Sequence, residues 1–322
     1  MPKVSIIIPV YNVEQLIRRC LDTLINQTLN DIEIVVVDDA SPDNSMEIVR
    51  EYKKRDNRIQ IVTNNNNSGL MYTRYAGYSQ AKGDYYFFCD SDDYLPLDAV
   101  ENLYLSAIEN DSDVVVGSFK HVCEDGREIE RRVEEIKKGD ESYLAALLNN
   151  RFEHSAWGKL YKANLFKDYK YKTLLNFNQA EDLLLSYQIA RNVKRWSTIS
   201  DNVYFYVYNS QSITKVRIKP QNIECIFKAY KITKDVWANT GVISIELEKR
   251  RINGAYNCCT WGIWFPTIRK IAKNEGIPEV FSIKRLFALF NVRRAIALLY
   301  KAYILSFVRK WSFDIKELRQ LK

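Results

Sequence analysis

The segment Ile32–Val37 (IEIVVV) runs directly into Asp38–Asp43 (DDASPD), so a nearly continuous apolar run ends in carboxylates. Further along the chain, Tyr85–Cys89 (YYFFC) runs into Asp90–Asp93 (DSDD) in the same way. Acidic side chains at the carboxyl ends of neighbouring strands repel one another, and ligands of open α/β sheets bind at this edge. The two segments therefore predict a parallel sheet whose edge holds a divalent metal and a polyhydroxylated or phosphorylated ligand.

Short apolar runs and helical periodicity alternate through the first 119 residues. Buried strands are predicted for Val4–Val10, Ile34–Val37, Ile59–Val62, Tyr85–Cys89 and Asp113–Phe119, and helices for Val13–Gln27, Ser45–Lys54, Gly69–Ala81 and Leu97–Asn110. This order is typical of βαβ units. We therefore expect an α/β fold with a Rossmann-like, mostly parallel sheet and helices on both faces.

The pattern changes after Lys120. It predicts strands at Ala156–Tyr161 and Val203–Tyr208 and helices at Asp140–Asn150 and Glu181–Val193. Beyond Thr214 it predicts helices alone, over residues 220–238, 243–272 and 281–310. A C-terminal helical region is therefore expected to follow the α/β domain.

The composition fits one large or two modest globular domains, because 322 residues with 47% hydrophobic side chains can bury a sizeable core. The start of the chain lacks the long apolar run and the cleavage site of a signal peptide. The six cysteines form no matched CxxC pairs, which predicts reduced thiols of a cytosolic protein. The only histidines are His121 and His154, too few for a His-rich metal site.

The net charge of +7 is unevenly distributed. Residues 1–215 carry 26 Lys/Arg and 32 Asp/Glu, a net charge of −6, whereas residues 216–322 carry 21 and 8, a net charge of +13. The basic part predicts contact with an anionic surface. A nucleic-acid binder is disfavoured, because the strand-end carboxylates would repel phosphates and the sequence has no nucleic-acid motif.

Asp90 and Asp92 are two residues apart at the end of a predicted strand. Mg²⁺ and Mn²⁺ prefer oxygen ligands and often take one or two carboxylates together with substrate phosphates. The alternative is a simple turn, since Asp and Ser are common turn residues. The second acidic pair, Asp38 and Asp39, favours a functional site, although one of its carboxylates can also cap the next helix.

Five other side chains have both a functional and a structural interpretation. Tyr11 can stack on a nucleobase or cover the sheet edge, and Arg74 can lie near a diphosphate or pair with a carboxylate on a helix surface. Glu181 and Asp182 open a predicted helix, where an acidic residue serves as a general base or stabilises the first turn. Trp157 can bind a sugar face or pack in the core.

Six motifs follow one another in the order PxYN, DDxSxD, SGLxxxR, DSDD, WGKLY and EDLLL. In this order and spacing they resemble the family 2 glycosyltransferases with the GT-A fold, over roughly residues 1–215. The resemblance implies an inverting transferase that moves a sugar from a nucleotide-diphospho-sugar, most often UDP-linked, to a saccharide or lipid-linked saccharide. It implies nucleotide-sugar binding by residues 1–119 and acceptor binding by 120–215, followed by a basic helical region at 216–322.

On the donor side the resemblance assigns Val10, Tyr11 and Asp39 to the nucleobase pocket. Asp90 would lie beside the ribose and Arg74 near the nucleotide. A nucleotidyltransferase or another nucleotide-sugar enzyme is the alternative. Such enzymes carry a Gly-rich phosphate loop after the first strand, where this chain has PVYN instead.

On the acceptor side the resemblance makes Asp182 the general base that deprotonates the acceptor hydroxyl. Glu181 would help to place the acceptor, with Trp157 nearby. Asp92 would bind the divalent metal, Mn²⁺ or Mg²⁺, which neutralises the leaving diphosphate. The segment Tyr208–Lys215 resembles a loop that closes over the diphosphate in such enzymes.

Ala295–Val308 is an apolar run of 14 residues, too short for the roughly 20 that a membrane-spanning helix needs. Arg293, Arg294, Arg309 and Lys310 flank it. These features predict a helix on an anionic membrane, and hence a cytoplasmic protein peripheral to the inner face of the cell membrane. The alternative is a helix packed on the catalytic domain or against a second copy in a homodimer.

Overall fold

The computed structural model of the chain describes residues 1–208, 219–238, 242–259, 263 and 265–305. The chain divides into two compact units, Met1–Ser212 and Ile213–Lys322. The first unit contains the sheet, and the described residues of the second unit form helices and their connections.

Eight strands in the described part of the first unit form one sheet. They are β1 (Val4–Val10), β2 (Ile32–Asp38), β3 (Ile59–Thr63), β4 (Tyr85–Phe88), β5 (Val114–Val122), β6 (Glu128–Arg131), β7 (Lys159–Lys162) and β8 (Trp196–Val207). Their order is β3-β2-β1-β4-β7-β5-β6, with β8 paired to β5. Strands β1 to β4 are parallel, β5 and β8 are parallel, and β7 runs antiparallel to both β4 and β5.

The register of the central strands aligns their carboxyl ends. Val10 pairs with Asp38 across β1 and β2, and Ile7 pairs with Phe88 across β1 and β4. Every residue of β1 is buried, which is expected for a parallel strand covered on both faces. The two acidic segments therefore emerge side by side at one edge of the sheet.

Helices cover both faces of this sheet. They are α1 (Ile17–Ile25), α2 (Ser45–Arg55), α3 (Leu70–Gln80), α4 (Ala99–Glu109), α5 (Tyr143–Leu148), α6 (Asn164–Lys167) and α7 (Glu181–Ile189). Ile6 and Ile8 point into the core formed with α1, α2 and α4. Ile7 points to the opposite face, where an added Cβ on Gly77 of α3 would lie 2.5 Å from its Cγ2 atom. The predicted α/β architecture is confirmed.

Strand β6 was missed by the sequence analysis. It forms a hairpin with the end of β5, and Arg131 lies opposite Phe119 in the register. Gly126 in the connecting turn has a φ of +81°, which favours glycine. The Asp125-Gly126 dipeptide is a hairpin signal that could have located the strand, whose own four residues are all exposed and lack an apolar pattern.

The helix predicted over residues 243–272 is wrong, because this stretch contains two helices. They are α9 (Val242–Cys258) and α10 (Phe265–Asn274). Pro266 is the second residue of α10, and a proline is tolerated in the first turn of a helix but breaks a helix interior.

The helix predicted over residues 281–310 is also wrong within its described part. It contains α11 (Ile283–Leu289) and α12 (Val292–Tyr300), followed by a short π-helical turn. The side chain of Asn291 accepts a hydrogen bond from the Arg294 N–H at 2.9 Å, so a new helix begins there. Residues 306–310 lie outside the described residues.

The second unit has its own core. Helix α8 (Pro220–Val236) contributes Phe227, whose ring lies 6.1 Å from that of Phe281. The ring of Phe281 also contacts Tyr256 and Phe265, each at 5.2 Å. Within the described ranges of the whole chain, no helix combines the length and apolar character needed to cross a membrane.

Candidate functional site at the carboxyl edge of the sheet

Asp39 organises the loop that leads into α3. Its buried carboxylate accepts hydrogen bonds from Asn64 Nδ2 and the Ser68 N–H, both at 2.8 Å, and from the Gly69 N–H at 3.0 Å. Gly69 immediately precedes α3, so a carboxylate from the loop directly after β2 caps the positive end of that helix. The structure thus gives Asp39 a structural role beside its predicted place in the nucleobase pocket.

Val10 and Tyr11 lie next to Asp39. The carbonyl oxygen of Val10 accepts a hydrogen bond from the Asp39 N–H at 3.0 Å. Tyr11 is 45% exposed, so its ring is available to stack on a planar ligand. The structure therefore brings the three predicted nucleobase-pocket residues to one place.

The DSDD loop is fixed to β8 by Tyr204. The Tyr204 hydroxyl accepts a hydrogen bond from the Asp90 N–H at 3.0 Å and donates one to Asp93 Oδ2 at 2.8 Å. Asp93 also accepts a hydrogen bond from the Val207 N–H at 2.7 Å. Sequence reasoning missed this role of Asp93, because nothing local to the motif indicates its partners, which lie more than a hundred residues away.

Arg74 connects the two sides of the predicted site. Its side chain is 2% exposed, with Nη2 at 2.8 Å from Asp90 Oδ1 and Nη1 at 2.6 Å from Asp182 Oδ1. Glu181 Oε1 lies 3.8 Å from Nη1. The Nε atom of Arg74 has no hydrogen-bond partner among the described residues. Helix α3, helix α7 and the end of β4 therefore converge on one buried guanidinium.

The two carboxylates of α7 that face Arg74, Glu181 and Asp182, have raised pKa values. Burial raises the pKa of Glu181 to about 8, and the neighbouring charge of Asp182 contributes to the rise. Burial also raises the pKa of Asp182, against the lowering effect of Arg74. A raised pKa strengthens a carboxylate as a base, so Asp182 has the property expected of a general base. Glu181 with a pKa near 8 is largely protonated at neutral pH.

Lys159 is a buried cation that the sequence analysis did not single out. Its Nζ donates to the Ser155 carbonyl oxygen at 2.5 Å and to Ser155 Oγ at 3.2 Å. Burial lowers the pKa of Lys159 to about 7, although the charges of Asp182 and Glu153 act in the opposite direction. Lys159 therefore contributes electrostatically to the Asp182 environment.

Asp92 is partly buried in the DSDD loop, and its carbonyl oxygen accepts a hydrogen bond from Arg19 Nη2 at 2.9 Å. Burial raises the pKa of Asp93, and the charges of Asp92 and Asp90 raise it further, so negative potential is concentrated here. In the part of the chain that the structure describes, no three His, Cys, Asp or Glu side chains form a metal-binding group. The donor set fits Mn²⁺ or Mg²⁺ shared with a substrate diphosphate, which needs only one or two carboxylates.

Trp157 packs in the core of the sheet. It is 8% exposed, and its ring lies nearly parallel to those of Tyr204 and Tyr206, with centroids at 4.6 Å and 5.3 Å. Its edge contacts Phe119 at 4.8 Å. The structure thus shows the indole packed in the core, which is one of its two predicted roles. Little of either ring face remains for a sugar.

A comparison with known protein families finds one that matches the first unit. A family model described as "Glycosyl transferase family 2" matches residues 5–170. The chain belongs to this family. It is therefore a glycosyltransferase, and the resemblance drawn from the six motifs is confirmed.

Relatives of this family 2 glycosyltransferase occur in several bacteria. The uncharacterized glycosyltransferase EpsJ of Bacillus subtilis (strain 168) is 34% identical over 236 residues, which cover 72% of this chain and 68% of EpsJ. Glycosyltransferase GlyA of Streptococcus pneumoniae is 33% identical over 66% of this chain and 32% of GlyA. The poly(ribitol-phosphate) beta-glucosyltransferase of Bacillus spizizenii is 33% identical over 68% of this chain and 35% of that enzyme. The match thus spans about a third of the length of the latter two.

The fold of this family 2 glycosyltransferase has solved counterparts. S. aureus TarS 1-349 in complex with UDP-GlcNAc has a TM-score of 0.75 and 21% sequence identity, over 98% of this chain and 92% of that chain. The same part of TarS in complex with UDP has a TM-score of 0.67 over the same shares of both chains. At this identity the likeness establishes the fold, which is the predicted GT-A fold with C-terminal helices.

The structure brings together Asp90, Arg74, Asp182 and Glu181 as one contacting cluster. The residues predicted to form the nucleobase pocket lie at the same edge of the sheet, at the ends of β1 and β2. The segment Tyr208–Lys215, predicted to close over the diphosphate, lies outside the described residues except for Tyr208.

Proposed function

We propose that this glycosyltransferase is an inverting enzyme that transfers a sugar from a UDP-linked donor to an acceptor hydroxyl. The observation that carries the proposal is the Arg74 cluster, in which a donor-side carboxylate, Asp90, and an acceptor-side carboxylate, Asp182, share one guanidinium. Direct displacement requires donor and acceptor to be held together in one alignment. The UDP-GlcNAc complex of the structural neighbour TarS supports the choice of donor class.

In the proposed reaction, Asp182 takes the proton of the acceptor hydroxyl as its oxygen bonds to the anomeric carbon. The bond from that carbon to the β-phosphate oxygen breaks on the opposite face, and its electron pair leaves with UDP. The raised pKa strengthens Asp182 as a base, while Arg74 and Lys159 favour its ionised form. Glu181, protonated near neutral pH, donates a hydrogen bond that orients the acceptor.

Asp92 would hold Mn²⁺ or Mg²⁺ together with the donor diphosphate. When bound, the ion supplies positive charge that stabilises the leaving nucleotide. The family and the relatives named above support a role in polysaccharide biosynthesis, with a saccharide or lipid-linked saccharide as acceptor.

The test is nucleotide release from a panel of UDP-GlcNAc, UDP-glucose, UDP-galactose and GDP-mannose, with Mn²⁺ and candidate acceptors present. We expect turnover of at least one UDP-sugar, and a product whose anomeric configuration is opposite to that of the donor when measured by NMR. A product that retains the donor configuration, or release from GDP-mannose alone, would contradict the proposal. Asp182→Asn serves as the control for background hydrolysis.

We also propose that the second unit docks on an anionic membrane. A series of apolar side chains at helical spacing, each between 42% and 63% exposed, runs along α11 and α12: Ile283, Phe287, Val292, Ile296 and Tyr300. Basic residues, among them Lys284 and Arg293, are interspersed with them. Exposed apolar residues beside cations are typical of helices that lie in the membrane interface.

Vesicle binding tests this docking. Each Lys or Arg near an anionic membrane contributes about 1 kcal/mol, so replacing Arg293, Arg294, Arg309 and Lys310 with Gln should release the protein from phosphatidylglycerol vesicles. Neutral phosphatidylcholine vesicles are the matched control. If these exposed apolar side chains instead join two copies of the chain, the mass measured in solution will be that of a dimer. Vesicle binding will then change neither with the substitutions nor with the salt concentration.

A further inference from the structure

A cleft of about 480 Å³ lies on the acceptor side of the first unit. The middle of β5, the end of β6, the segment after α5 and the start of β7 form its walls. Ser155, Trp157 and Lys159 line it, together with Arg131 and Arg132. None of the proposed catalytic carboxylates lines this cleft, so it is a space separate from the Arg74 cluster.

The cleft is nevertheless adjacent to the proposed base. Ser155, Trp157, Gly158 and Lys159 line the cleft. Just before them in the chain, the His154 carbonyl oxygen accepts a hydrogen bond at 2.8 Å from Ser186 Oγ, which lies one helical turn after Asp182 on α7. One short segment therefore separates the cleft from the proposed base.

The acidic groups of the cleft have cationic neighbours. Glu130 and Glu153 line the cleft beside four basic residues, Arg131, Arg132, Arg151 and Lys159. Arg151, a third arginine of the wall, is paired through Nε with Glu141 Oε1 at 2.6 Å. The lining therefore contains more basic than acidic side chains.

Arg131 and Arg132 are both exposed and form no ion pair with any residue in the described ranges. Arg131 lies opposite Phe119 across the hairpin, and Phe119 contacts the edge of Trp157. Two exposed guanidinium groups that form no ion pair within the described residues suit a polyol or saccharide chain that carries negative charge, because arginine binds carboxylates and phosphates in a bidentate manner.

We propose that this cleft binds the acceptor, and that the acceptor is a polyol or saccharide chain bearing phosphodiester or carboxylate groups. The proposal rests on the proposed function, since it places the acceptor chain beside Asp182. Arg131 and Arg132 bind the anionic groups, and the chain extends past residues 155–159 to present a hydroxyl to the base.

The test measures binding of three oligomers of similar length to the full chain in the presence of UDP: a ribitol-phosphate oligomer, an oligogalacturonate and neutral maltohexaose. We expect at least one anionic oligomer to bind about tenfold more tightly than the neutral one. Each of two exposed ion pairs can contribute at most about 1 kcal/mol to the binding free energy. The difference should shrink as salt is raised. The better anionic oligomer identifies phosphodiester or carboxylate as the recognised group.

The double substitution Arg131→Gln and Arg132→Gln should remove this preference. The matched control is Lys53→Gln and Lys54→Gln, two exposed residues near the end of α2 that change the net charge by the same amount. Because α2 connects the parallel strands β2 and β3, its end lies at the opposite edge of the sheet. UDP release from the donor without acceptor should be unchanged in the control variant.

The outcomes separate the two proposals. Equal binding of neutral and anionic oligomers, or equal loss of binding in the control variant, would refute the anionic acceptor while leaving UDP-sugar turnover intact. Absence of any UDP-sugar turnover by the parent protein would instead refute the proposed function, and the binding data would still decide what the cleft recognises.

Discussion

Replacing Arg74 with Met would remove the one guanidinium on which the candidate site converges. Asp90 and Asp182 each lose an ion pair shorter than 3 Å, and Glu181 loses a cation at 3.8 Å. Removing one partner of a buried ion pair costs about 3–5 kcal/mol, because the remaining charge stays in a poorly solvated place. Asp90 and Asp182 are still 23% and 26% exposed, so water offsets part of the loss, and we expect about 3 kcal/mol.

The free energy of unfolding is measured by denaturant titration at pH 7. Arg50→Met is the matched control, since Arg50 pairs with Glu47 at 3.0 Å on an exposed helix surface and should contribute less than about 0.5 kcal/mol. The second measurement is the pH dependence of kcat/KM. Arg74 lowers the pKa of Asp182, so its removal should move the acidic limb to higher pH.

A double variant separates the effect of the lost charge on stability from the effect of the lost packing. The double variant Arg74→Met and Asp90→Asn has one carboxylate fewer around the missing guanidinium, so it should be more stable than Arg74→Met alone. A change below about 1 kcal/mol for Arg74→Met, together with an unmoved acidic limb, would refute the argument that this guanidinium holds the carboxylates together.

Three further predictions concern single carboxylates. Asp182→Asn should lower transfer by roughly a hundredfold or more and leave the donor Kd nearly unchanged, and an equal loss of donor affinity would place Asp182 in the nucleotide pocket instead. Asp92→Ala should abolish metal-dependent transfer with an unchanged unfolding curve, whereas near-normal turnover would reject its role in metal binding. Because the pKa of Glu181 is raised from 4.5 to about 8, its protonated form stabilises the fold at low pH, and this contribution is lost as pH rises towards about 8. Glu181→Gln should therefore weaken the decline of stability between about pH 4.5 and 8 and the fall of the transfer rate above about pH 8, and identical profiles for the two proteins would contradict the raised pKa.

The fold could be predicted because its signals are local. The predicted bounds of β1 agree with the structure, and those of β2, β3 and α2 differ from it by a few residues, since an apolar run or helical period is visible in any short window. The Asp90 and Asp182 candidates were also visible, because each follows directly from a motif. Their shared contact with Arg74 was not, since it depends on how α3 and α7 pack.

Other parts of the site could not be predicted from the sequence for the same reason. Asp39 caps a helix that begins some thirty residues later, and Asp93 is held by a tyrosine from β8. Lys159 has the residue type of a surface cation, and only the completed fold buries its amine. Burial and long-range partners are properties of the packed chain, so a pattern in the sequence could not supply them.

The cluster around Arg74 also links two events thermodynamically: the binding of a ligand at Asp90 and the release of a proton by Asp182. The charge of Asp90 raises the pKa of Asp182, so any ligand that neutralises Asp90 makes Asp182 release its proton more readily. Linkage is reciprocal, and loss of that proton must therefore strengthen the binding of the same ligand. Neutralisation of Asp90 therefore favours the ionised form of Asp182, and a proton on Asp182 opposes binding of such a ligand without touching the same atom.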